Sequence, residues 1–227
     1  MKRLCIIPAR GGSKRLPGKN IKPLNGKPLI FYTLDAAIKS KVFDKIIFTS
    51  DDKEILDKVK NNYSMKSLDV IKRPKELATD TSKVIDTVLH FIHDDYEQTW
   101  LTLPTSPLKT EKDFINANQL LSGEDDSVLS YTEMEFPPTL GLVVKSNNIV
   151  EDYDETQPWQ KGNSRSQDHP TIYRPNGALY GGWTKKLKEN KNYYVGKTKG
   201  YFMPRNRSID IDTQFEFDLA EFIIKKS

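Results

Sequence analysis

The sequence predicts an α/β fold: a Rossmann-like, mostly parallel sheet with helices on both faces, carrying a small inserted subdomain. Three observations predict it. Short apolar runs alternate with helically spaced segments through the first half of the chain, and a glycine-bearing basic loop leaves the first of those runs. After Tyr131 the alternation breaks and prolines, turns and short β-like pieces take over. Repeated strand-then-helix order argues for parallel pairing, because a parallel crossover needs a helix-length connection.

The elements follow in order. Leu4–Ala9 reads as a buried strand, apolar and ended by the glycine loop. Pro28–Ser40 spaces Ile30, Leu34, Ala37 and Ile38 as a helix, with proline acceptable in the first turn. Lys45–Ser50 is a second strand, Asp52–Asn61 a second helix, and Val70–Ile71 a short third strand. A helix from Thr81 to His93 leads to a strand at Thr99–Leu103, then a helix over Glu111–Leu121 and a strand at Ser127–Tyr131. Residues 133–192 are expected to form the insertion, suited to dimerisation, with β-like pieces at Leu142–Lys145 and Thr171–Tyr173. Thr213 and Glu216 form a capping box, and Phe215, Leu219, Phe222 and Ile223 make one helical stripe behind it. The whole is expected to be a single domain over 1–227.

Composition sets the class. At 227 residues, 37% hydrophobic and 29% charged, the chain can bury a core and is not of disordered type. Its apolar runs fall well short of the roughly 20 residues that span a membrane. Leu4–Ala9 is also too short for a signal peptide, so a cytoplasmic protein with no membrane partner is expected. Cys5 is the only cysteine and sits in an apolar run, which suits a buried structural thiol.

The net charge of +4 hides an asymmetry. No acidic residue precedes Asp35, while Lys2, Arg3, Arg10, Lys14, Arg15, Lys19, Lys22 and Lys27 are all basic. Nucleic-acid binders more often spread basic charge over a long face, interleaved with aromatic platforms, so no nucleic-acid partner is expected. Charge concentrated around one loop suits a compact polyphosphate. Gly11 and Gly12 permit close backbone approach to phosphate oxygens, Arg10 can hold two oxygens at once, and Lys19 offers a mobile point charge. Neither G-x-G-x-x-G nor G-x-x-x-x-G-K-[ST] occurs.

Two more constellations carry chemistry. In Ser208-Ile-Asp-Ile-Asp212, a strand would put Ile209 and Ile211 on one face, and Asp210 and Asp212 on the other about 6.8 Å apart. Such a pair can share Mg²⁺ with phosphate oxygens, or simply be a solvated strand face. Arg174 and Asn176, at a turn with Pro175, suit a carboxylate and a polyhydroxylated chain, or are only a tight turn.

The run I-I-P-A-R-G-G-S-K-x-x-P-G-K-N at Ile6–Asn20 resembles the opening signature of the acylneuraminate (CMP-sialic acid) cytidylyltransferase family, which also handles legionaminic and pseudaminic acids. The similarity continues at Arg73–Thr81, Pro104–Leu108, Tyr173–Ala178 and Ser208–Thr213, in order and over nearly the whole chain. The resemblance implies transfer of CMP from CTP to a nine-carbon 2-keto sugar acid, with Mg²⁺ as cofactor and a homodimer whose inserted region reaches the neighbouring site. It implies that Arg10, Lys19 and Asp212 are catalytic and that Asp210 and Asp212 bind the metal. Pro8, Ala9, Arg10, Gly11, Ser13, Asn20, Arg73 and Ser82 would surround CTP. Thr105, Ser106, Arg165, Arg174, Asn176 and Tyr180 would surround the sugar acid.

Four positions depart from the family pattern. Leu103 stands where glutamine is usual, Leu140 where sialic-acid members carry lysine, and Val84 where a hydroxyl residue lies near cytidine, with Ser82 close by. Arg165 is spaced one residue further from Pro170 than usual. Most of these changes fall on the sugar side, so they leave open the identity of the acid more than the reaction. The alternatives are another sugar acid such as Kdo, or a non-catalytic nucleotide- or sugar-binding relative.

Overall fold

The computed structural model describes residues 1–226. They form two compact units, Met1–Tyr131 with the chain from Asn176 onward, and Thr132–Pro175. In chain order the elements are β1 (Arg3–Pro8), β2 (Pro23–Leu24), β3 (Lys27–Pro28), α1 (Leu29–Ser40), β4 (Lys45–Ser50), α2 (Lys53–Asn62), β5 (Leu68–Lys72), α3 (Val84–Phe91), β6 (Gln98–Leu101), α4 (Glu111–Leu120) and β7 (Ser127–Glu133). There follow β8 (Leu142–Val144), β9 (Val150–Asp152), β10 (Tyr173–Trp183), α5 (Thr184–Asn190), β11 (Thr198–Phe202) and α6 (Gln214–Lys226).

The main sheet has seven strands in the order β11-β7-β10-β6-β1-β4-β5. β5, β4, β1 and β6 are mutually parallel, with Cys5 level with Ile46 on one side and Trp100 on the other. β10 runs antiparallel to β6, with Tyr180 opposite Leu101. The chain therefore moves from β1 outward through β4 to β5, then returns to the other side of β1 as β6. That reversal between β1 and β6 is a topological switch point, where open α/β sheets bind ligands beyond the carboxyl ends of their strands.

Both faces of β1 are buried, which explains its unbroken apolar run. Cys5 and Ile7 join a cluster with Ile30 and Leu34 of α1, Ile55 and Val59 of α2, and Phe114 of α4. Leu4 and Ile6 point the other way, against Val88 of α3 and Leu187 of α5. Side chains of this kind contribute about 1.5–3 kcal/mol each when fully buried. Asp52 caps α2, its Oδ1 accepting from the Glu54 and Ile55 N–H groups at 2.7 and 3.3 Å. Asn25 and Gly26, with φ of 45° and 78°, turn the β2–β3 hairpin in the manner Asn-Gly favours.

The predicted sheet and its flanking helices are borne out, with three differences. The expected insertion over 133–192 divides: Thr132–Pro175 is the separate unit, whereas β10 from Asn176 onward and α5 belong to the first. Pro175, Gly177, Gly181 and Gly182 disguise β10 in the sequence. Ser208–Asp212 is irregular rather than a strand, lying between a 3₁₀ turn at Arg205–Arg207 and α6. Its alternation nevertheless holds, since Ile209 and Ile211 pack with Leu16, Leu24, Leu29 and Phe217. The capping box before α6 is present, Glu216 Oε2 accepting from the Thr213 N–H at 2.7 Å and its hydroxyl at 2.6 Å. The buried stripe of α6, however, is Phe217 and Ala220, whereas Phe215 and Phe222 are 72% and 59% exposed.

Candidate active site

The loop leaving β1 opens a cleft of about 500 Å³ at the switch point, lined among others by Pro8, Arg10, Ser13, Lys14, Arg15, Lys19, Asn20, Arg73, Ser82, Thr105 and Asp212. Asn20 ties the loop shut, its Nδ2 donating to Arg10 O at 2.8 Å, while its buried Oδ1 has no protein partner. Arg73 is also buried; its Nη2 meets Asp51 Oδ1 at 3.4 Å, its Nε lacks a partner, and burial lowers the guanidinium from its ordinary value. Unpartnered polar atoms in such places are uncommon and mark groups with capacity for a ligand.

The cations of the loop are each set against a carboxylate. Lys19 Nζ donates to Ile211 O and lies 3.2 Å from Asp212 Oδ1. Arg15 Nη2 approaches Asp212 Oδ2 at 2.7 Å. Arg10 Nη1 and Lys14 Nζ share Asp80, at 3.3 and 2.5 Å, and the Lys14 bond holds the Asp80 carboxyl below the usual range. Lys19 is thus a buried, fixed charge and not the mobile one expected from its sequence context.

Gly11 is also placed differently from expectation. Its N–H donates to Asp51 Oδ1 at 3.1 Å instead of facing the cleft, and a Cβ there would lie 2.6 Å from Asp52 Oδ2. The glycine is needed for close approach to the cap of α2. Gly12 has open space where its Cβ would be. Ala9 continues the strand, donating to Thr49 O at 2.9 Å, and is not among the lining residues.

The two aspartates differ in their place, since Asp210 is not among the residues lining the cleft. Ile211 N donates to Thr105 O at 2.8 Å, which docks Asp210–Asp212 on the loop after β6. Asp212 lines the cleft. A Cβ at Gly177 (φ 77°) would lie 3.6 Å from Asp210 Oδ2 and 3.8 Å from Ser106 Oγ, so glycine leaves room between these two groups. Two half-buried carboxylates are hard oxygen donors of the kind Mg²⁺ takes alongside phosphate oxygens and water, so the residues present fit such a cation.

On the predicted sugar side, Thr105 lines the cleft and Ser106 Oγ is buried without a partner. Asn176 is committed to the fold: its Oδ1 accepts from Ser130 Oγ at 2.5 Å and Ala178 N at 3.2 Å, and its Nδ2 donates to Ser208 Oγ at 2.9 Å. Tyr180 packs beside Tyr193, and burial with the nearby Asp210 charge raises its phenol above the ordinary value. Arg165 and Arg174 belong to the Thr132–Pro175 unit, where Arg165 Nε lies 3.7 Å from Asp168 and Arg174 Nη1 donates to Pro175 O at 3.3 Å. Leu103 and Val84 both line the cleft.

Sequence reasoning gave no individual role to Arg15, Lys14 or Asp80, although the first two were visible in the basic run. It also missed Thr87, fully buried, lining the cleft with its hydroxyl unpartnered, and Lys109, only 3% exposed. Burial pushes the Lys109 ammonium down to about 7 against the raising effect of Asp210. A lysine two residues after a proline reads as surface, so no local signal marks it.

A profile of the family described as "Cytidylyltransferase" matches residues 4–225. The chain is 36% identical over 221 residues to an N-acylneuraminate cytidylyltransferase of Streptococcus agalactiae serotype V, covering 96% of this chain but 52% of that protein. It therefore spans about half the length of that relative. It is 34% identical to a pseudaminic acid cytidylyltransferase of Campylobacter jejuni, covering 99% of this chain and 97% of that one. Among solved structures, a CMP:2-keto-3-deoxy-manno-octonic acid synthetase complexed with CTP superposes with a TM-score of 0.73 at 15% identity, covering 100% and 99% of the two chains. That likeness concerns the fold.

Proposed function

Because this chain belongs to the cytidylyltransferase family, we propose that it transfers CMP from CTP to a nine-carbon 2-keto sugar acid of the sialic, legionaminic or pseudaminic type. The observation that carries this reading is the convergence of Arg15, Lys19 and Asp212 on one cleft at the switch point.

In the reaction, the anomeric hydroxyl oxygen forms a bond to the α-phosphorus, the bond to the β-phosphate oxygen breaks, and pyrophosphate and a proton leave. Little covalent work falls to the protein, which positions the reactants and offsets charge. Arg10, Lys14, Arg15 and Lys19 take the triphosphate oxygens, and Lys19 is already fixed where negative charge grows. Pro8, Asn20, Arg73 and Ser82 hold the cytidine end. Asp210 and Asp212 would hold Mg²⁺, which supplies charge neutralisation at the α-phosphate. Asn176 positions Ser208, and through it the aspartate segment. Thr105 and Ser106 are assigned to the acid.

We assign a homodimer on the apolar surface of the second unit, where Val144, Ile149, Val150 and Tyr153 are each more than half exposed. Among the described residues no helix is long and apolar enough to cross a membrane, and a cytoplasmic location is part of the proposal. The test is pyrophosphate release with each of the four nucleoside triphosphates against a panel of nonulosonic acids and Kdo. Release with CTP and one or more nine-carbon acids is expected. Nucleotide binding without release in any pairing would instead make the protein a non-catalytic relative.

A further inference from the structure

We propose that Asp80 is the resident anion of the polyphosphate site: its carboxylate holds Arg10 and Lys14, a polyphosphate must displace it to reach them, and Asp80 thereby limits how tightly the site keeps CTP and pyrophosphate. This rests on the reading given above, in which Arg10 and Lys14 take triphosphate oxygens.

The geometry ties Asp80 to the two cations alone. Arg10 Nη1 lies 3.3 Å from its Oδ1 and Lys14 Nζ 2.5 Å from its Oδ2, so each carboxylate oxygen meets one of them. Among the described residues Asp80 has no other hydrogen-bond or ion-pair partner. Arg10 and Lys14 come from the loop after β1, Asp80 from the segment before α3, and all three line the cleft. The Asp80 segment is held by other groups. Ser82 Oγ donates to Glu76 O at 2.8 Å and accepts from Thr79 N at 3.1 Å, while Ser82 N donates to Thr79 O at 3.3 Å. Letting go of the carboxylate therefore leaves this turn intact and frees both cations at once.

Exposure separates this pairing from its neighbour in the same cleft. Arg73 is buried, and its partner Asp51 also accepts from Gly11 N, so that carboxylate is built into the fold. The side chains of Arg10, Lys14 and Asp80 are 42%, 77% and 52% exposed. Ion pairs so open to water add little stability and exchange readily for another anion. A polyphosphate brings more charge than one carboxylate and several oxygens to the same guanidinium and ammonium, so it prevails. The broken pairs are nevertheless subtracted from its binding free energy, and the displaced carboxylate repels it from close by. The same two effects favour departure of pyrophosphate, a step that can limit turnover.

Asp80→Asn removes the charge at nearly constant size, and Asp80→Ser does so with a smaller side chain suited to a turn. In metal-free buffer, with folding followed by circular dichroism, both variants are expected to bind inorganic tripolyphosphate and CTP about three-fold or more tightly than the wild type by calorimetry. Cytidine, which lacks phosphate, should bind all three proteins alike. In a Lys14→Met background the gain from Asp80→Asn should be smaller, because one of the two displaced pairs is already gone. Unchanged or weaker tripolyphosphate binding in a folded Asp80→Asn overturns the proposal. So does a gain undiminished by Lys14→Met, which would mean repulsion without displacement. Should neither Asp80 variant fold, ¹³C NMR of the wild-type Asp80 carboxyl decides: its signal must move as tripolyphosphate saturates the site, and an unmoved signal refutes displacement. A protein that binds no tripolyphosphate at all defeats both this proposal and the reading of Arg10 and Lys14. A wild type that releases no pyrophosphate defeats the assigned reaction alone, since these titrations need no turnover.

Discussion

Lys19 and Asp212, 193 positions apart in the chain, are joined at 3.2 Å. The same lysine also donates to Ile211 O, so its ammonium is shared between a carboxylate and a carbonyl at the edge of the cleft. A flexible surface lysine would spend side-chain entropy on reaching a phosphate; this one has spent it in folding. The basic start of the chain and the acidic segment near its end are therefore one electrostatic unit before any ligand arrives.

Asp212→Asn should reduce turnover by about 10²-fold or more, the scale seen when a preorganised charge-stabilising group is removed. Its effect on stability should stay within about 1 kcal/mol, because the Asp212 side chain is 40% exposed and its ion pairs are solvent-screened. Pyrophosphate release and urea unfolding on the same preparation check both. Near-normal turnover would remove Asp212 from the metal site.

Much of this site was legible because its parts carry local physical signatures. The basic loop shows as charge without acid before Asp35, and the α2 start shows in Asp52, a side chain that accepts from the first-turn N–H groups. What stayed hidden depends on contacts distant in sequence. Gly181 looks like a strand breaker, yet a Cβ there would lie 2.7 Å from the Trp100 ring, so the glycine permits strand packing. On α6, Phe215 with Leu219 and Phe217 with Ala220 satisfy the same helical period. Only the cluster around Ile211 and Leu29 selects the second stripe. Lys109 was illegible for the same reason, since its burial is created by the loop it holds through Leu103 O and Ser106 O, both at 2.7 Å.

Arg15→Ala is predicted to raise KM for the nucleotide several-fold while changing kcat less than Asp212→Asn does. Arg15 is 67% exposed and bonds Asp212 at 2.7 Å, so an incoming triphosphate competes with that carboxylate for the guanidinium. The wild-type KM should climb with ionic strength, and the variant's KM should climb less steeply. Parallel salt dependence in the two proteins would show that Arg15 does not meet the triphosphate.

Gly11→Ala tests why the loop begins with glycine. The added methyl would meet Asp52 Oδ2 at 2.6 Å and Asp52 Cβ at 2.8 Å, displacing the residue that caps α2. A loss of about 1–2 kcal/mol is expected from the disturbed cap. Gly12→Ala meets nothing within 4 Å and should unfold within about 0.5 kcal/mol of the wild type. Equal stabilities in denaturant would mean that Asp52 yields freely.

Asp113 offers a stability prediction with a definite pH sign. Burial alone would raise its carboxyl, but hydrogen bonds from Arg207, the Thr110 N–H and Tyr201 outweigh that and hold it below the usual carboxylate range. A carboxyl depressed in the folded state stabilises the fold above its unfolded value, near pH 4, and loses that contribution as pH falls below it. Asp113→Asn removes the charge opposite Arg207 and one of the two acceptor oxygens that Arg207, Thr110 and Tyr201 share, so a loss of about 3 kcal/mol is expected at pH 7. Urea unfolding of the two proteins at pH 7 and again near pH 3 should show the gap narrowing, because the wild type protonates Asp113 while the variant has nothing there to titrate. A gap that is constant across that range would mean the carboxylate charge is not what holds α4 to the Arg205–Arg207 turn.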